Sequence, residues 1–179
     1  RHEGRPPHLA GVCQGGVLAL CHLATRPEAA ASLTTLATPV DGTTDTDTLS
    51  RIAARVDLDA LRANARNVPA AELNWAFTAL RPLPLLVDRY QQMPEIGADD
   101  TALGEFLRME RWMYGGPDQA LAVFVEFVQA VYRDNALLHD TLQLRGERVR
   151  LSRIRVPVFN VIAEHDHLVP VAAAAALSG

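Results

Sequence analysis

Apolar positions along this chain follow two rhythms. Residues 8–12, 31–38 and 156–163 are short, nearly continuous apolar runs, the last reading Val-Pro-Val-Phe-Asn-Val-Ile-Ala. Runs of that length, ended by turn residues such as Pro39 and Asp41-Gly42, predict parallel strands covered on both faces. Residues 17–24, between the first two runs, are helix formers that stop near Arg26-Pro27. The chain therefore opens as strand, sharp turn, helix, strand.

Residues 42–150 change period. The strongest helical pattern is 117–134, where Leu121, Phe124, Val125, Val128 and Val131 recur at spacings of three and four. Pro117-Asp118 suits the first turn of that helix. Residues 50–66 show helical spacing through Ile52, Val56, Leu58 and Leu61. Residues 71–80 and 101–114 read as helices separated by Pro-containing loops. The Thr/Asp-rich stretch 43–50 reads as a loop or helix start. Alternation over 141–151 predicts a small hairpin, and the Ala-rich run 171–177 reads as a helix cut short. The chain opens on Arg1 rather than Met, so both ends read as truncated. Three segments result: an α/β core part over 1–41, a helical cap or lid over 42–150, and a second α/β core part over 151–179. Large insertions between core strands commonly cover a site.

Composition narrows the function classes. The 179 residues suffice for one substantial core, and 49% hydrophobic with 21% charged is ordinary for a globular domain. A net charge of −4 gives no electrostatic reason to expect nucleic acid. No apolar stretch is long enough to predict a membrane span. Two cysteines, Cys13 and Cys21, lie in one turn-and-helix unit and read as free thiols.

One of those thiols is the chemical candidate. Gly11-Val12-Cys13-Gln14-Gly15-Gly16, after a strand and before a helix, is the nucleophile-elbow pattern with Cys in place of Ser. Small residues at 11 and 15 let strand and helix pass closely, and Gly16 adds slack at the helix start. The helix N-terminus behind Cys13 favours a thiolate. The backbone N–H of Gln14 is the candidate oxyanion donor. The chain has no Lys, so a phosphate-binding Gly-x-x-x-x-Gly-Lys loop is excluded. Cys21, two helical turns on, reads as a small core residue.

The acid candidate follows the third strand, in Glu164-His165-Asp166-His167-Leu168-Val169-Pro170. An orienting carboxylate belongs on a loop after a late strand, in the chain order nucleophile, acid, base. Asp166 fits that place, with Glu164 as its rival. His165 and His167 flank Asp166 and point away from it, so they read as loop histidines. One short loop without a separated partner is a poor metal site, so no metal is expected. Taken together, these features predict a partial α/β-hydrolase fold with a parallel sheet and a mostly helical cap insertion.

These motifs resemble class III polyhydroxyalkanoate synthases. The stretch from His8 to Gly16 is similar to that family's lipase-like box, which carries Cys instead of Ser. Leu36-Ala37-Thr38-Pro39-Val40-Asp41 resembles the end of its next strand. Phe106-Leu107-Arg108-Met109-Glu110-Arg111-Trp112, followed by Pro117-Asp118-Gln119-Ala120, resembles its cap signature. Asn160-Val161-Ile162-Ala163-Glu164-His165-Asp166-His167-Leu168-Val169-Pro170 resembles the segment around its catalytic Asp.

The resemblance implies an acyltransferase that polymerises 3-hydroxyacyl-coenzyme A through a Cys-linked acyl-enzyme, with no separate cofactor. It implies a catalytic His beyond Gly179, upstream strands that supply a second oxyanion donor, and hence an inactive fragment. It also implies a second synthase subunit, self-association and a cytoplasmic location at polymer granules. Trp75, Phe77, Trp112 and Tyr114 are candidates to line an acyl tunnel or to pack the cap core. Two other readings share the elbow: a Cys-type hydrolase of lactones, esters or thioesters, and a non-catalytic binding module.

Overall fold

The computed structural model describes residues 4–44, 48–64 and 66–178. Residues 45–47, inside the Thr/Asp-rich stretch, lie outside the described residues. Three strands form a parallel sheet in the order β1 (His8–Val12), β2 (Ser32–Leu36), β5 (Val158–Val161). The register aligns Gly11 with Thr35 and Thr35 with Asn160 across the three strands. Helix α1 (Gln14–Thr25) makes the crossover that a parallel β1–β2 pair requires. Its Leu20, Leu23 and Ala24 are fully buried, each Leu worth about 2 kcal/mol of transfer free energy. The helix closes with the Arg26 N–H donating to the His22 carbonyl, just before Pro27.

The strands are covered on one face, not two. Gly11, Leu33, Thr35 and Asn160 share the α1 side, and Gly11, Leu33 and Thr35 are buried there. On the opposite face Val12 is 56% exposed and Phe159 is 68% exposed. Continuous apolar runs made the strands read as doubly covered; helix α1 packs on β1 and β2, while the opposite face leaves these large apolar side chains exposed. β2 is the central strand, so the edges belong to β1 and β5.

The chain divides into two compact units, 1–57 with 126–179, and 58–125. Residues 42–57 and 126–150, assigned from sequence to the cap, thus share the sheet's unit. There, α2 (Thr48–Ala53) packs against a π-helical turn, Val128–Arg133. The Arg133 guanidinium caps the α2 end by donating to the carbonyls of Ala53 and Val56. β3 (Gln143–Leu144) and β4 (Glu147–Arg148) form the predicted hairpin. Arg145 and Gly146, both at positive φ, make its turn. The short helix α9 (Val171–Ala175) follows the acid loop.

The second unit is helical: α3 (Leu58–Asn64), α4 (Ala70–Leu80), α5 (Arg89–Gln91), α6 (Met93–Ile96) and α7 (Asp100–Tyr114). The pattern over 50–66 is two helices, α2 and α3, broken before Leu58. Pro82 and Pro84 do not make a loop: Leu83–Asp88 is π-helical and runs into α5, because a proline is tolerated where its missing N–H falls in a first turn. The helix expected from Pro117 begins only at Leu121, as α8 (Leu121–Phe127). Asp118 instead accepts a hydrogen bond from the Ala70 N–H at 3.0 Å, so it serves the start of α4. Gln119 pairs with Val68 in an antiparallel bridge.

Candidate active site

The turn between β1 and α1 places Cys13 at φ 50°, ψ −118°. A non-glycine residue there costs about 1–2 kcal/mol, so surrounding contacts must hold it. The Cys13 N–H donates to the Leu36 carbonyl at 2.8 Å, across the β1–β2 boundary. The Gly16 and Val17 N–H groups donate to the Cys13 carbonyl at 2.9 and 3.3 Å, which starts the helix. A Cβ on Gly11 would sit 2.6 Å from the Gly15 carbonyl oxygen, so only glycine lets strand and helix cross there. A Cβ on Gly16 would lie 1.9 Å from Thr38 Oγ1, whereas one on Gly15 would meet nothing within 4 Å. The steric demand expected at Gly15 therefore falls on Gly16, which is tightly packed rather than slack.

Cys13 is half-buried and free. It packs against Val169, Ala173 and Ala174, together with Ile162 and Leu168. Burial pushes its thiol above the ordinary range, the Gln14 backbone N–H pulls it down, and the negative charge of Asp166 pushes it up. The net direction is upward, so the helix N-terminus does not by itself yield a thiolate; desolvation outweighs it. Cys21 is buried, with its thiol pushed up to about 11 by burial, as suits an inert core residue.

The acid loop follows β5. Asp166 is half-buried, and its Oδ1 accepts from the Leu168 N–H at 2.8 Å and the Val169 N–H at 3.1 Å. These two bonds hold one carboxylate oxygen and fix the turn into α9. Glu164 and His165 are exposed and His167 is half-buried. The structure thus brings Cys13, the Gln14 N–H and Asp166 together. No hydrogen bond joins Cys13 to a histidine among the described residues.

Sequence reasoning passed over three polar residues that shape this region. Thr35 and Thr38 are fully buried, and Asn160 is half-buried. Asn160 accepts from Thr35 Oγ1 at 2.9 Å and donates to the Ala174 carbonyl at 2.9 Å, tying β2, β5 and α9 together. The signal was present: each is a polar residue inside an apolar strand run, and such a residue demands a partner. Further along, Asn135 donates to Asp41 Oδ1 at 2.8 Å and accepts from the Gly42 N–H at 3.1 Å. Burial works to raise the Asp41 carboxyl. Hydrogen bonds from the Thr43 N–H and hydroxyl, the Asn135 amide and the charge of His139 together hold it below its usual value.

In the helical unit the four aromatic candidates are exposed rather than core residues, with Trp75 at 69% and Trp112 at 75%. Trp75 and Tyr114 line an open, largely apolar groove of about 360 Å³, with Ala71, Thr78 and Leu86. Arg89 pairs with Glu110 at 2.7 Å and stacks 5.2 Å above the Phe106 ring. Tyr90 donates to the same carboxylate at 2.8 Å. No helix among the described residues is long and apolar enough to cross a membrane.

The chain is similar to known proteins along most of its length. The chain is 38% identical to "Poly(3-hydroxyalkanoate) polymerase subunit PhaC" of Allochromatium vinosum over 172 residues, 96% of this chain and 48% of that one. It is 35% identical to the protein of the same name from Thiocystis violacea over 177 residues, 99% of this chain and 50% of that one. A third, from Synechocystis, is 34% identical over 175 residues, 94% of this chain and 46% of that one. The chain spans about half the length of these relatives. A family model described as the alpha/beta hydrolase fold matches residues 1–179. With that match, its parallel sheet and the strand–cysteine–helix turn, the chain belongs to the α/β-hydrolase fold family.

Proposed function

We propose that this chain carries the nucleophile and the orienting acid of a poly(3-hydroxyalkanoate) polymerase that takes 3-hydroxyacyl-coenzyme A as substrate. The observation that carries the reading is Cys13, at positive φ between β1 and α1 and packed against Val169 of the loop that the Asp166 carboxylate fixes. Its 38% identity to a protein of that name supports the substrate class.

In the reaction, the Cys13 sulfur attacks the thioester carbonyl of the substrate. The C–S bond to coenzyme A breaks, and its thiolate leaves as Cys13 becomes acylated. The hydroxyl end of a growing polyester then attacks the new thioester, forming an ester bond and releasing the Cys13 sulfur. Thioester exchange is nearly balanced in free energy, so the acyl-enzyme retains enough to drive ester formation. The Gln14 N–H stabilises the oxyanion that each attack creates.

Because burial raises the Cys13 thiol, the resting sulfur is protonated at neutral pH and needs a base at the moment of attack. A histidine outside residues 1–179 serves as that base, with Asp166 holding its ring through the carboxylate. It takes the proton from Cys13 and gives it to the departing coenzyme A thiolate, then takes the proton of the incoming hydroxyl and returns it to the released Cys13 sulfur. The relatives' greater length leaves room for it.

The test is acyl labelling of the full-length protein with radiolabelled 3-hydroxybutyryl-coenzyme A, followed by peptide mapping. The label should sit on Cys13, and Cys13→Ala should abolish both label and polymer while Cys21→Ala keeps them. Label on Cys21, or release of free acid without polymer, would overturn the proposal.

A further inference from the structure

The segment from Leu36 to Asp41 touches the nucleophile turn, the end of β5 and the helix after the acid loop. The Leu36 carbonyl accepts the Cys13 N–H at 2.8 Å. The Ala37 N–H donates to the Val161 carbonyl, at the end of the strand that leads to the acid loop, at 3.0 Å. Thr38 is fully buried and packs directly on the Gly16 backbone, in the first turn of α1. The Val40 and Asp41 N–H groups both donate to the carbonyl of Ala173, a residue of the cluster beneath Cys13, at 3.0 and 3.1 Å. Six consecutive residues thus link the nucleophile turn to the acid side. Ala37 holds a positive φ of 46° within them, a conformation that an alanine keeps only when its neighbours impose it.

Within that strap, Thr38 makes one bond that its fold position alone does not require. Its hydroxyl donates to the Leu36 carbonyl at 3.3 Å, the same oxygen that accepts the Cys13 N–H. One carbonyl therefore holds the amide of the nucleophile and the side chain that abuts the helix start. A carbonyl oxygen has two lone pairs, and here both are used. We infer that Thr38 is a positioning residue: through the shared Leu36 carbonyl and its packing on Gly16, it keeps the Cys13 turn in its left-handed conformation. Thr38 itself contacts neither substrate nor the reacting atoms. This inference rests on Cys13 being the nucleophile.

The test compares Thr38→Ser and Thr38→Ala in the full-length protein, two variants that differ only by the hydroxyl. Thr38→Val also lacks the hydroxyl and takes the place of Thr38→Ala should the latter fail to fold. Two rates are read: alkylation of Cys13 by iodoacetamide, followed by mass spectrometry, and polymerisation of 3-hydroxybutyryl-coenzyme A resolved into kcat and KM. The hydroxyl-free variant should lose about tenfold or more in both the alkylation rate and kcat, as small misplacements of reacting groups do, with KM nearly unchanged. Thr38→Ser should stay within about twofold of the parent in both, since it keeps the donor. Equal rates for Ser and Ala, whether both parental or both slow, would overturn the inference. So would a fall in melting temperature with the rates of the folded protein intact. Alkylation needs no polymer, so a parent protein that alkylates at Cys13 but makes none would refute the polymerase proposal and leave Thr38 still decided by the alkylation rates.

Discussion

Thr35 and Asn160 face each other across β2 and β5 and share a 2.9 Å hydrogen bond, hydroxyl to amide oxygen. The amide nitrogen of Asn160 reaches on to the Ala174 carbonyl at 2.9 Å. A single side chain thereby satisfies a fully buried hydroxyl and fastens the helix that closes the Cys13 cluster.

Asn160→Leu strands the Thr35 hydroxyl inside the sheet. The cost should be about 1–3 kcal/mol, the penalty of an unmade buried hydrogen bond. Urea denaturation measures it. The double variant Thr35→Val with Asn160→Leu should recover part of that loss, because both partners are then apolar. A double variant no more stable than the single would show that the pair matters only through packing.

The glycines of the turn should separate cleanly. Gly16→Ala puts a methyl 1.9 Å from Thr38 Oγ1, and the overpacking should cost about 1–3 kcal/mol. Gly15→Ala meets open space at the first turn of α1. It should leave stability within about 1 kcal/mol of the parent, or raise it slightly through helix propensity. Thermal melts of the two variants side by side decide this.

Asp166 and Glu164 should differ by orders of magnitude. Asp166→Asn removes a charge that acts on Cys13 while keeping the shape, and turnover of the full-length protein should fall on the order of 10⁴-fold, as when a triad acid is lost. Glu164→Gln changes an exposed side chain and should leave turnover nearly intact. Steady-state polymerisation rates test both. A larger loss from Glu164→Gln would move the acid to that residue.

Cys21 gives the chain an alkaline limit. Its thiol is raised from 9.0 to about 11 in the fold, so the folded state retains a proton that the unfolded chain releases first. The resulting stability is fully present below pH 9 and disappears as pH rises through 11. That rise corresponds to about 2–3 kcal/mol. Denaturation of the parent and of Cys21→Ala at pH 8 and pH 11 should show the parent losing that much more than the variant. Parallel losses would place the alkaline transition elsewhere.

How far the sequence spoke depended on distance along the chain. The elbow was legible because strand, cysteine, glycines and helix are contiguous, and the acid loop because its strand precedes it directly. The contact between Gly16 and Thr38 was not legible, since the two meet only through the parallel pairing of β1 with β2. Asp118 was misread for the same reason: beside Pro117 it looks like the start of its own helix, yet its partner is Ala70, 48 positions away. Pro82 and Pro84 read as loop residues because proline breaks helix interiors, and here they open a π-helical segment instead. The strands' apolar runs gave their number and direction, while the exposure of Val12 and Phe159 reflects what packs on them, which no local pattern encodes.

The left-handed backbone of Cys13 has a consequence for selection. Glycine adopts that conformation freely, so Cys13→Gly relieves about 1–2 kcal/mol of backbone strain while removing the thiol and its packing on Val169 and Ala173. A melt of that variant above the parent's would make the proposed nucleophile a residue at which mutational drift toward stability and drift away from activity run in the same direction. A population of such chains would then keep its cysteine only while something in the cell depends on the reaction.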